Sequence, residues 1–194
     1  MIYYTSDWHL GDDRLGINGK PNVFYRPFSS VEENNRVIMK NLYTDFKDGD
    51  ILWHLGDVIV GDLEGSEAHL MQMRSMYPNS QFNLVLGNYD VDKVDLLRKY
   101  FHSIHEDFNL LSFSDNLLIY LNHYPTKCKE KICNESGEYT FAITGHIHSL
   151  WKVKRNIINV GVDAWHFKPV SHNEIMFCWN AMQNHYDNDV YLED

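Results

Sequence analysis

Leu52-Trp53-His54-Leu55-Gly56-Asp57 is an apolar run that ends abruptly in a glycine and a carboxylate. Four other stretches are built the same way: Tyr3-Tyr4-Thr5-Ser6-Asp7-Trp8-His9, Leu84-Val85-Leu86-Gly87-Asn88, Ile119-Tyr120-Leu121-Asn122-His123 and Ala142-Ile143-Thr144-Gly145-His146-Ile147-His148. Each reads as a short buried strand whose last residues can bind a metal. In α/β sheets ligands gather outside the carboxyl ends of strands, where loops are fixed by the sheet yet free to carry polar groups. Asp7 and His9 are two residues apart, as are His146 and His148, a spacing that turns both side chains the same way on an extended segment. Glycines before Asp57, Asn88 and His146 let the backbone turn sharply there. Imidazole, carboxylate and amide donors together suit Mn(II), Fe, Zn, Co or Ni better than Ca(II), which prefers all-oxygen shells. One D-x-H or one G-D arises by chance in many proteins, and a lone histidine is usually a surface or core residue. His69, His102, His105, His172 and His185 are read in that way.

Working outward, residues 11 to 28 carry glycines, prolines and mixed charge and read as a long loop, a class that is often functional. Ser30-Val31-Glu32-Glu33 is a capping box that opens a helix carrying Val31, Ile38, Leu42 and Phe46. Residues 63 to 77 are read as a helix stopped by Pro78-Asn79, and residues 91 to 101 as a short one. From Ser103 to Asn122, short strands separated by turn residues suggest a hairpin or meander. The polar stretch Lys127 to Glu138 reads as a loop, and Tyr139 to Thr144, Trp151 to Arg155 and Ile157 to Val160 as strands. Ser171-His172-Asn173-Glu174 is a second capping box, opening a helix to about Gln183. The first half alternates strand and helix and the second is rich in adjacent strands. The fold class is therefore α/β to α+β, with a mixed sheet or two packed sheets. A chain of 194 residues suits a single domain over residues 1–194.

Composition narrows the function classes. Hydrophobic residues make up 44% and aromatic residues 14%, which argues against disorder. The formal net charge of −10 disfavours a broad nucleic-acid-binding face. It does not exclude phosphate chemistry, because two divalent cations would reverse the local sign where carboxylates cluster. Cys128, Cys133 and Cys178 contain no C-x-x-C pair, so they read as free thiols of a reducing cytoplasm, with a local zinc loop at Cys128 and Cys133 as the alternative. The residues from Met1 to Asp7 show no signal-peptide pattern, and no apolar run reaches membrane-spanning length. A cytoplasmic location without a membrane partner is expected.

The ordered set Asp7-x-His9, Gly56-Asp57, Gly87-Asn88-x-Asp90, His123 and Gly145-His146-x-His148 resembles the signature of calcineurin-like metallophosphoesterases. Further matches at Arg26-Pro27-Phe28, Asn122-His123-Tyr124-Pro125 and Asn159 to Trp165 with Pro169-Val170-Ser171 are similar to a small bacterial and phage branch. The resemblance implies a four-layer αββα sandwich and two divalent ions. Mn comes first, with Fe, Zn, Ni or Co as alternatives. It implies one ion on Asp7, His9, Asp57 and His148, and the other on Asp57, Asn88, His123 and His146, with Asp57 bridging. It further implies hydrolysis of phosphodiester or phosphomonoester bonds, the diester favoured, by two ions sharing a hydroxide, on small or nucleotide-type substrates.

Many relatives have His after the Asn, acting on the leaving group. Here the residue is Tyr89, whose hydroxyl is a poor acid at neutral pH. Asp57, Asn88, Tyr89 and Asp90 are the expected catalytic residues, Asp90 as an orienting group. Arg26 is expected to clamp the substrate phosphate through its planar fork. His54 and Asn88 are the other expected substrate-side groups, His54 with a supporting or packing role as its alternative. Asp163 or His166 is expected to hydrogen-bond a ligand histidine or to shape its turn. Trp8, Trp53, Trp151 and Trp165 read as packing residues. The rival functions are a nuclease on single-stranded DNA or RNA, a protein phosphatase, and a binding scaffold with a silent site. The sequence sets neither the physiological substrate nor the oligomeric state.

Overall fold

Strands buried at consecutive positions, and so on both faces, build the architecture. The computed structural model describes residues 1–14, 26–114, 117–132 and 141–185. The strands are β1 (Ile2–Thr5), β2 (Ile51–His54), β3 (Gln81–Val85), β4 (Ser103–His105), β5 (Phe108–Ser114), β6 (Leu117–Asn122), β7 (Phe141–Thr144), β8 (Val153–Lys154), β9 (Ile157–Asn159) and β10 (Val170–Ser171). The α-helices are α1 (Val31–Asp45), α2 (Leu63–Met76), α3 (Val94–Leu97), α4 (Pro125–Ile132) and α5 (His172–His185). One five-stranded sheet has the order β10-β1-β2-β3-β4, and a second has the order β5-β6-β7-β9-β8. In the first, β1 to β4 run parallel and β10 lies antiparallel on β1. In the second, β6, β7 and β9 are parallel, flanked by antiparallel β5 and β8.

Successive side chains of a strand point to opposite faces, and here each face has its own apolar partner. Tyr3, Leu52, Phe82 and Leu84 point outward from the first sheet onto Ile38, Met39 and Leu42 of α1, Leu70 and Met73 of α2 and Leu97 of α3. Tyr4, Trp53 and Val85 point the other way and meet Ile119, Leu121, Phe141, Ile143 and Ile158 of the second sheet. The outer face of that sheet, with Tyr120, Ala142 and Ile157, packs on Cys128 of α4. The result is a four-layer αββα sandwich. Both faces of each sheet's centre are covered, which is why those strands read as nearly continuous apolar runs. Helix α5 adds Ile175 to the core between the sheets, and its Trp179 stacks on Phe141 with ring centroids 4.8 Å apart.

The helix starts follow the expected capping chemistry with one change. The Ser30 hydroxyl accepts from the Glu33 N–H at 3.0 Å, but the Glu33 carboxylate reaches back to the Ser29 N–H at 2.7 Å. At α5 the box closes on itself: the Ser171 N–H donates to the Glu174 carboxylate at 2.8 Å and the Glu174 N–H to the Ser171 hydroxyl at 3.3 Å.

Two expectations are corrected and a third holds in part. The stretch expected to be a loop from Lys127 to Glu138 begins instead as α4, which runs to Ile132. Pro125 occupies its first position, where a missing N–H costs nothing, and Cys128, 0% exposed, anchors it to the sheet. The polar residues beside Cys128 in the sequence hid the helix. The segment 91 to 101 divides into a 3₁₀ turn at Val91–Lys93 and the single-turn α3. Between Ser103 and Asn122 the hairpin alternative holds for β5 and β6, which pair antiparallel, while β4 departs from it and completes the first sheet. Cys133 and residues 15–25 lie outside the described residues, while the Cys128 thiol is buried and donates to the Tyr124 carbonyl at 3.5 Å. Among the described residues no helix is long and apolar enough to cross a membrane.

Phe82 is 0% exposed and stacks on Phe46 at 5.5 Å. Phe82→Ala is expected to lower the unfolding free energy by about 3–5 kcal/mol in urea denaturation. Phe177→Ala, at a side chain 75% exposed, is expected to change it by about 0.5 kcal/mol or less.

Candidate metal centre

The parallel strands stop just short of the residues that matter. Past the end of β1, the backbone keeps pairing with the segment after β2. The N–H groups of Asp7, His9 and Leu10 donate to the carbonyls of Gly56, Asp57 and Val58 at 3.0, 3.1 and 3.0 Å. Within these extensions Asp7 (φ 59°), His9 (φ 51°) and Asp57 (φ 60°) adopt left-handed backbone conformations, as do His146 (φ 73°) and His148 (φ 50°) beyond β7. Non-glycine residues rarely adopt such conformations. They persist only where the surroundings over-determine them, and they cluster at functional sites.

Two devices impose these conformations. The Asp90 carboxylate accepts from the N–H groups of Asp57, Val58 and Gly87 at 2.7, 2.9 and 2.9 Å. The Asp7 carboxylate accepts from the His146 N–H at 3.1 and 3.0 Å, tying the first sheet to the second. Glycines let the turns approach. A Cβ on Gly87 would lie 2.2 Å from Asp57 Oδ1, and one on Gly56 (φ 92°) would lie 2.5 Å from the Gly87 nitrogen. The spacing of glycines in the sequence therefore records a backbone-to-backbone contact.

Two clusters of possible metal donors result: Asp7, His9 and His148, and Asp57, His123 and His146. Within each cluster the donor atoms lie within 4.8 Å of one another. The clusters meet at Asp57, whose Oδ2 is 3.5 Å from His9 Nε2 and 3.4 Å from His123 Nε2. Asn88 is exposed in the turn after β3, and the next residue, Tyr89, donates its N–H to Asp57 Oδ1 at 3.0 Å. All seven residues expected to be ligands thus come to one end of the two sheets.

The imidazoles are oriented from behind. His123 Nδ1 lies 2.6 Å from the Leu55 carbonyl, so it carries hydrogen and Nε2 faces the site. His148 Nδ1 is 2.7 Å from Asp163 Oδ2, and His9 Nδ1 is 2.9 Å from Asp12 Oδ2. Such outer partners fix the tautomer and direction of a ligating ring. Buried Nε2 of His123 has no hydrogen-bond partner, whereas buried polar atoms are normally satisfied. A divalent cation fits that lone pair, and the mixed nitrogen and oxygen donor set suits a transition metal.

The electrostatics point the same way. Burial opposes ionisation of Asp57, but the imidazoles of His123 and His9 outweigh it and hold the carboxyl far below its usual range. Burial also opposes protonation of His123; the Asp57 and Asp7 carboxylates outweigh that and lift it to about 9. His9 is raised by the same competition, its burial outweighed by hydrogen bonds to Asp12 and Asp57. His146 is lowered by burial and by the neighbouring His123.

Arg26 and His54 do not take the substrate-side places expected of them, and Asp90 takes an orienting one. Arg26 is 3% exposed and does not face a substrate. Its five N–H groups go to Asp163 Oδ1 and Oδ2, the Trp8 and Asp7 carbonyls and Asn34 Oδ1, at 2.6–3.0 Å. A guanidinium has five donors, so no fork remains for phosphate. Arg26 instead anchors Asp163, and through it His148. His54 is 0% exposed, its ring edge-on to Trp8 at 4.5 Å, and burial lowers its pKa to about 3. It is a neutral packing residue that cannot reach a ligand from there. Asp90 is 0% exposed and is pushed up by burial. It positions the Asp57 turn and touches no reacting atom.

Asp163, one of two residues named for a support role, holds His148, while His166 lies in a left-handed turn at φ 56°. The sequence reading missed Asp12 and Arg14. Asp12, 1% exposed, accepts from Arg14 Nε and Nη2 at 2.9 and 2.8 Å as well as contacting His9. The signal was present as a carboxylate three residues after His9, but acidic residues are too common in loops to stand out. Trp8 and Trp53 are core residues at 1% and 7% exposure, and Trp165 lies under the Lys152 ammonium at 4.2 Å.

A model of the calcineurin-like phosphoesterase superfamily domain matches residues 2–171. An uncharacterised protein of Methanocaldococcus jannaschii is 28% identical over 179 residues, covering 88% of this chain and 86% of its own. The crystal structure of a protein of unknown function from Aquifex aeolicus superposes with a TM-score of 0.71 at 26% identity, over 92% of this chain and 98% of the other.

A raised pKa means that metal-free His123 is protonated at pH 7, while a ligating imidazole must be neutral. Metal binding at pH 7 is therefore expected to release about one proton or more and to tighten as pH rises towards 9. Titration calorimetry in two buffers of different ionisation enthalpy measures the release, and a heat independent of buffer would contradict it.

Proposed function

Because the chain belongs to the calcineurin-like phosphoesterase superfamily, we propose that it is a metal-dependent hydrolase of small or nucleotide-type phosphodiesters working with two divalent ions. The observation that carries the dinuclear reading is the position of Asp57 Oδ2, 3.5 Å from His9 Nε2 and 3.4 Å from His123 Nε2, where the two donor clusters meet. A carboxylate between two donor groups suits a bridging role. Asp7, His9, Asp57 and His148 would hold one ion, and Asp57, Asn88, His123 and His146 the other. Mn(II) leads the candidates, with Fe, Zn, Ni and Co accepted by the same donors. When bound, such ions supply a nucleophilic water at neutral pH and neutralise charge on the phosphate.

The chain's own residues have separate tasks. Asp163 and Asp12 hold the His148 and His9 rings with Nδ1 turned away from the centre. Asp90 keeps the turns of Asp57 and Gly87 together, so the Asp57 carboxylate and the Asn88 amide stay in place as charge on the phosphate changes. Fixed dipoles and charges that need no reorganisation are the main source of stabilisation in phosphoryl transfer. A net charge of −10 favours a small substrate over a polynucleotide, since a negative surface repels a long polyanion. Within the small-substrate class a diester is favoured, and because the site offers no histidine beside Asn88 to protonate a poor leaving group, esters with good leaving groups suffer least.

The test is a panel of bis-p-nitrophenyl phosphate, p-nitrophenyl phosphate, cyclic nucleotides and a single-stranded oligonucleotide, each with Mn(II), Ni(II) or Zn(II). The diester is expected to turn over fastest. Steeply salt-dependent cleavage of the oligonucleotide would favour a nuclease instead. Asp57→Asn is expected to lose most bound metal and most activity, and a variant with two ions and near-normal turnover would rule out the bridging role.

A further inference from the structure

Tyr89 is fixed more completely than its turn requires. The turn is already closed by Asp90, which takes the Gly87 and Asp57 N–H groups. Yet every polar part of Tyr89 has its own partner. Its N–H donates to Asp57 Oδ1 at 3.0 Å, and its carbonyl accepts from Lys93 Nζ at 2.8 Å. Its ring stands edge-on to His9 with centroids 5.4 Å apart. Its hydroxyl accepts from Arg14 Nη1 at 2.8 Å, and the Arg14 guanidinium carbon lies 5.0 Å from the ring centroid. Arg14 is itself held by the buried Asp12, through Nε and Nη2, and Asp12 also holds His9. A pair of polar groups that is half exposed at the rim of the donor clusters is thus tied to both Asp57 and His9.

The direction of the Arg14 contact matters. A phenol has one hydrogen to donate and lone pairs to accept with. Since guanidinium can only donate, the Tyr89 oxygen accepts from Arg14 and keeps its own hydrogen for another partner. A hydroxyl that accepts from a cation is polarised and becomes a stronger donor. Such a donor, held beside Asp57, suits an oxygen carrying negative charge.

Resting on the phosphoesterase reading above, we propose that the Tyr89 hydroxyl, polarised and aimed by Arg14, donates a hydrogen bond to a phosphate oxygen of the substrate. This pair is the phosphate-recognition element of the protein, in place of the buried Arg26. Tyr89 is the contacting residue and Arg14 the positioning residue that acts through it. No proton is transferred: the interaction is a hydrogen bond from a neutral phenol, reinforced by a permanent charge.

The experiment uses the full chain loaded with Mn(II) and three variants: Tyr89→Phe, Arg14→Gln and the two combined. Three quantities are read: metal content, KM and kcat for bis-p-nitrophenyl phosphate, and the affinity for inorganic phosphate by calorimetry. Tyr89→Phe removes one oxygen and keeps the ring, so a loss of folding is not at issue. Each single variant is expected to raise KM and weaken phosphate binding by about tenfold, the worth of one charge-assisted hydrogen bond, with metal content unchanged. The double variant is expected to match Tyr89→Phe within about threefold, because a group acting through another adds little once that one is gone. Wild-type KM and phosphate affinity in Tyr89→Phe would overturn the proposal, as would penalties that multiply in the double variant. Loss of metal in Arg14→Gln with normal phosphate affinity in Tyr89→Phe would assign the pair to holding His9 and equally overturn it. A wild-type protein that binds Mn(II) but neither hydrolyses any phosphoester nor binds phosphate would overturn the phosphoesterase reading and this inference together.

Discussion

The arrangement depends on one buried carboxylate. Asp57 sits between the imidazoles of His9 and His123, receives the N–H of Tyr89 on its other oxygen, and lies in a turn clamped by Asp90. A carboxylate at 2% exposure is costly to ionise unless positive charge or donors surround it. In the metal-free chain a protonated His123 helps to meet that need, which is why it is held to about 9. The same demand makes the site a cation trap. Metal ions and protons compete for the same nitrogens, with the ions carrying the larger charge.

This carboxylate explains why the two sheets end where they do. Sheet pairing delivers Asp7 and Asp57 side by side, through the β1–β2 register that matches Tyr4 with Trp53 and Thr5 with His54. The second sheet delivers His123 and His146 through the parallel pairing of β6 with β7. The apolar core between the sheets sets their separation, and the Asp7 carboxylate on the His146 N–H closes the gap at the site end. The left-handed residues Asp7, His9, Asp57, His146 and His148 each cost on the order of 1–3 kcal/mol. Burial in the three apolar clusters offsets that cost, so the rigid layers stabilise a strained rim.

Support comes in chains that run away from the centre. His148 leans on Asp163, which leans on Arg26, which is bound to the Trp8 and Asp7 carbonyls and so returns to the first sheet. His9 leans on Asp12, which also holds Arg14. In both chains an arginine neutralises the carboxylate that orients the histidine, and the two differ in exposure. The Arg26 side chain is 0% exposed and serves the frame; the Arg14 side chain is 38% exposed and stands at the rim. Guanidinium suits both positions because its planar fork grips a carboxylate at two points.

The candidate ligand residues were legible from sequence because they recur at the ends of apolar runs, all but His123 beside a glycine or two positions from a partner. That pattern is local, and strand pairing converts it directly into convergence. The α/β to α+β class was legible from the order of strands and helices, whereas the four-layer arrangement was implied only by the family resemblance. What the sequence alone did not determine was the role of any charged residue whose partner is distant along the chain. Arg26 meets Asp163 across 137 positions, and nothing local distinguishes a buried anchor from a phosphate clamp. His54 lies on the same strand as ligand-bearing neighbours, and only the packing of Trp8 against it shows that it faces the core. The helix at Pro125 was hidden because, among its described side chains, the buried Pro125 and Cys128 are separated by the exposed Thr126 and Lys127. Hydrophobic pattern is written residue by residue, so the sequence carries it. The partner of a charge is set by which chain segments meet in space, and that is decided only when the sheets close.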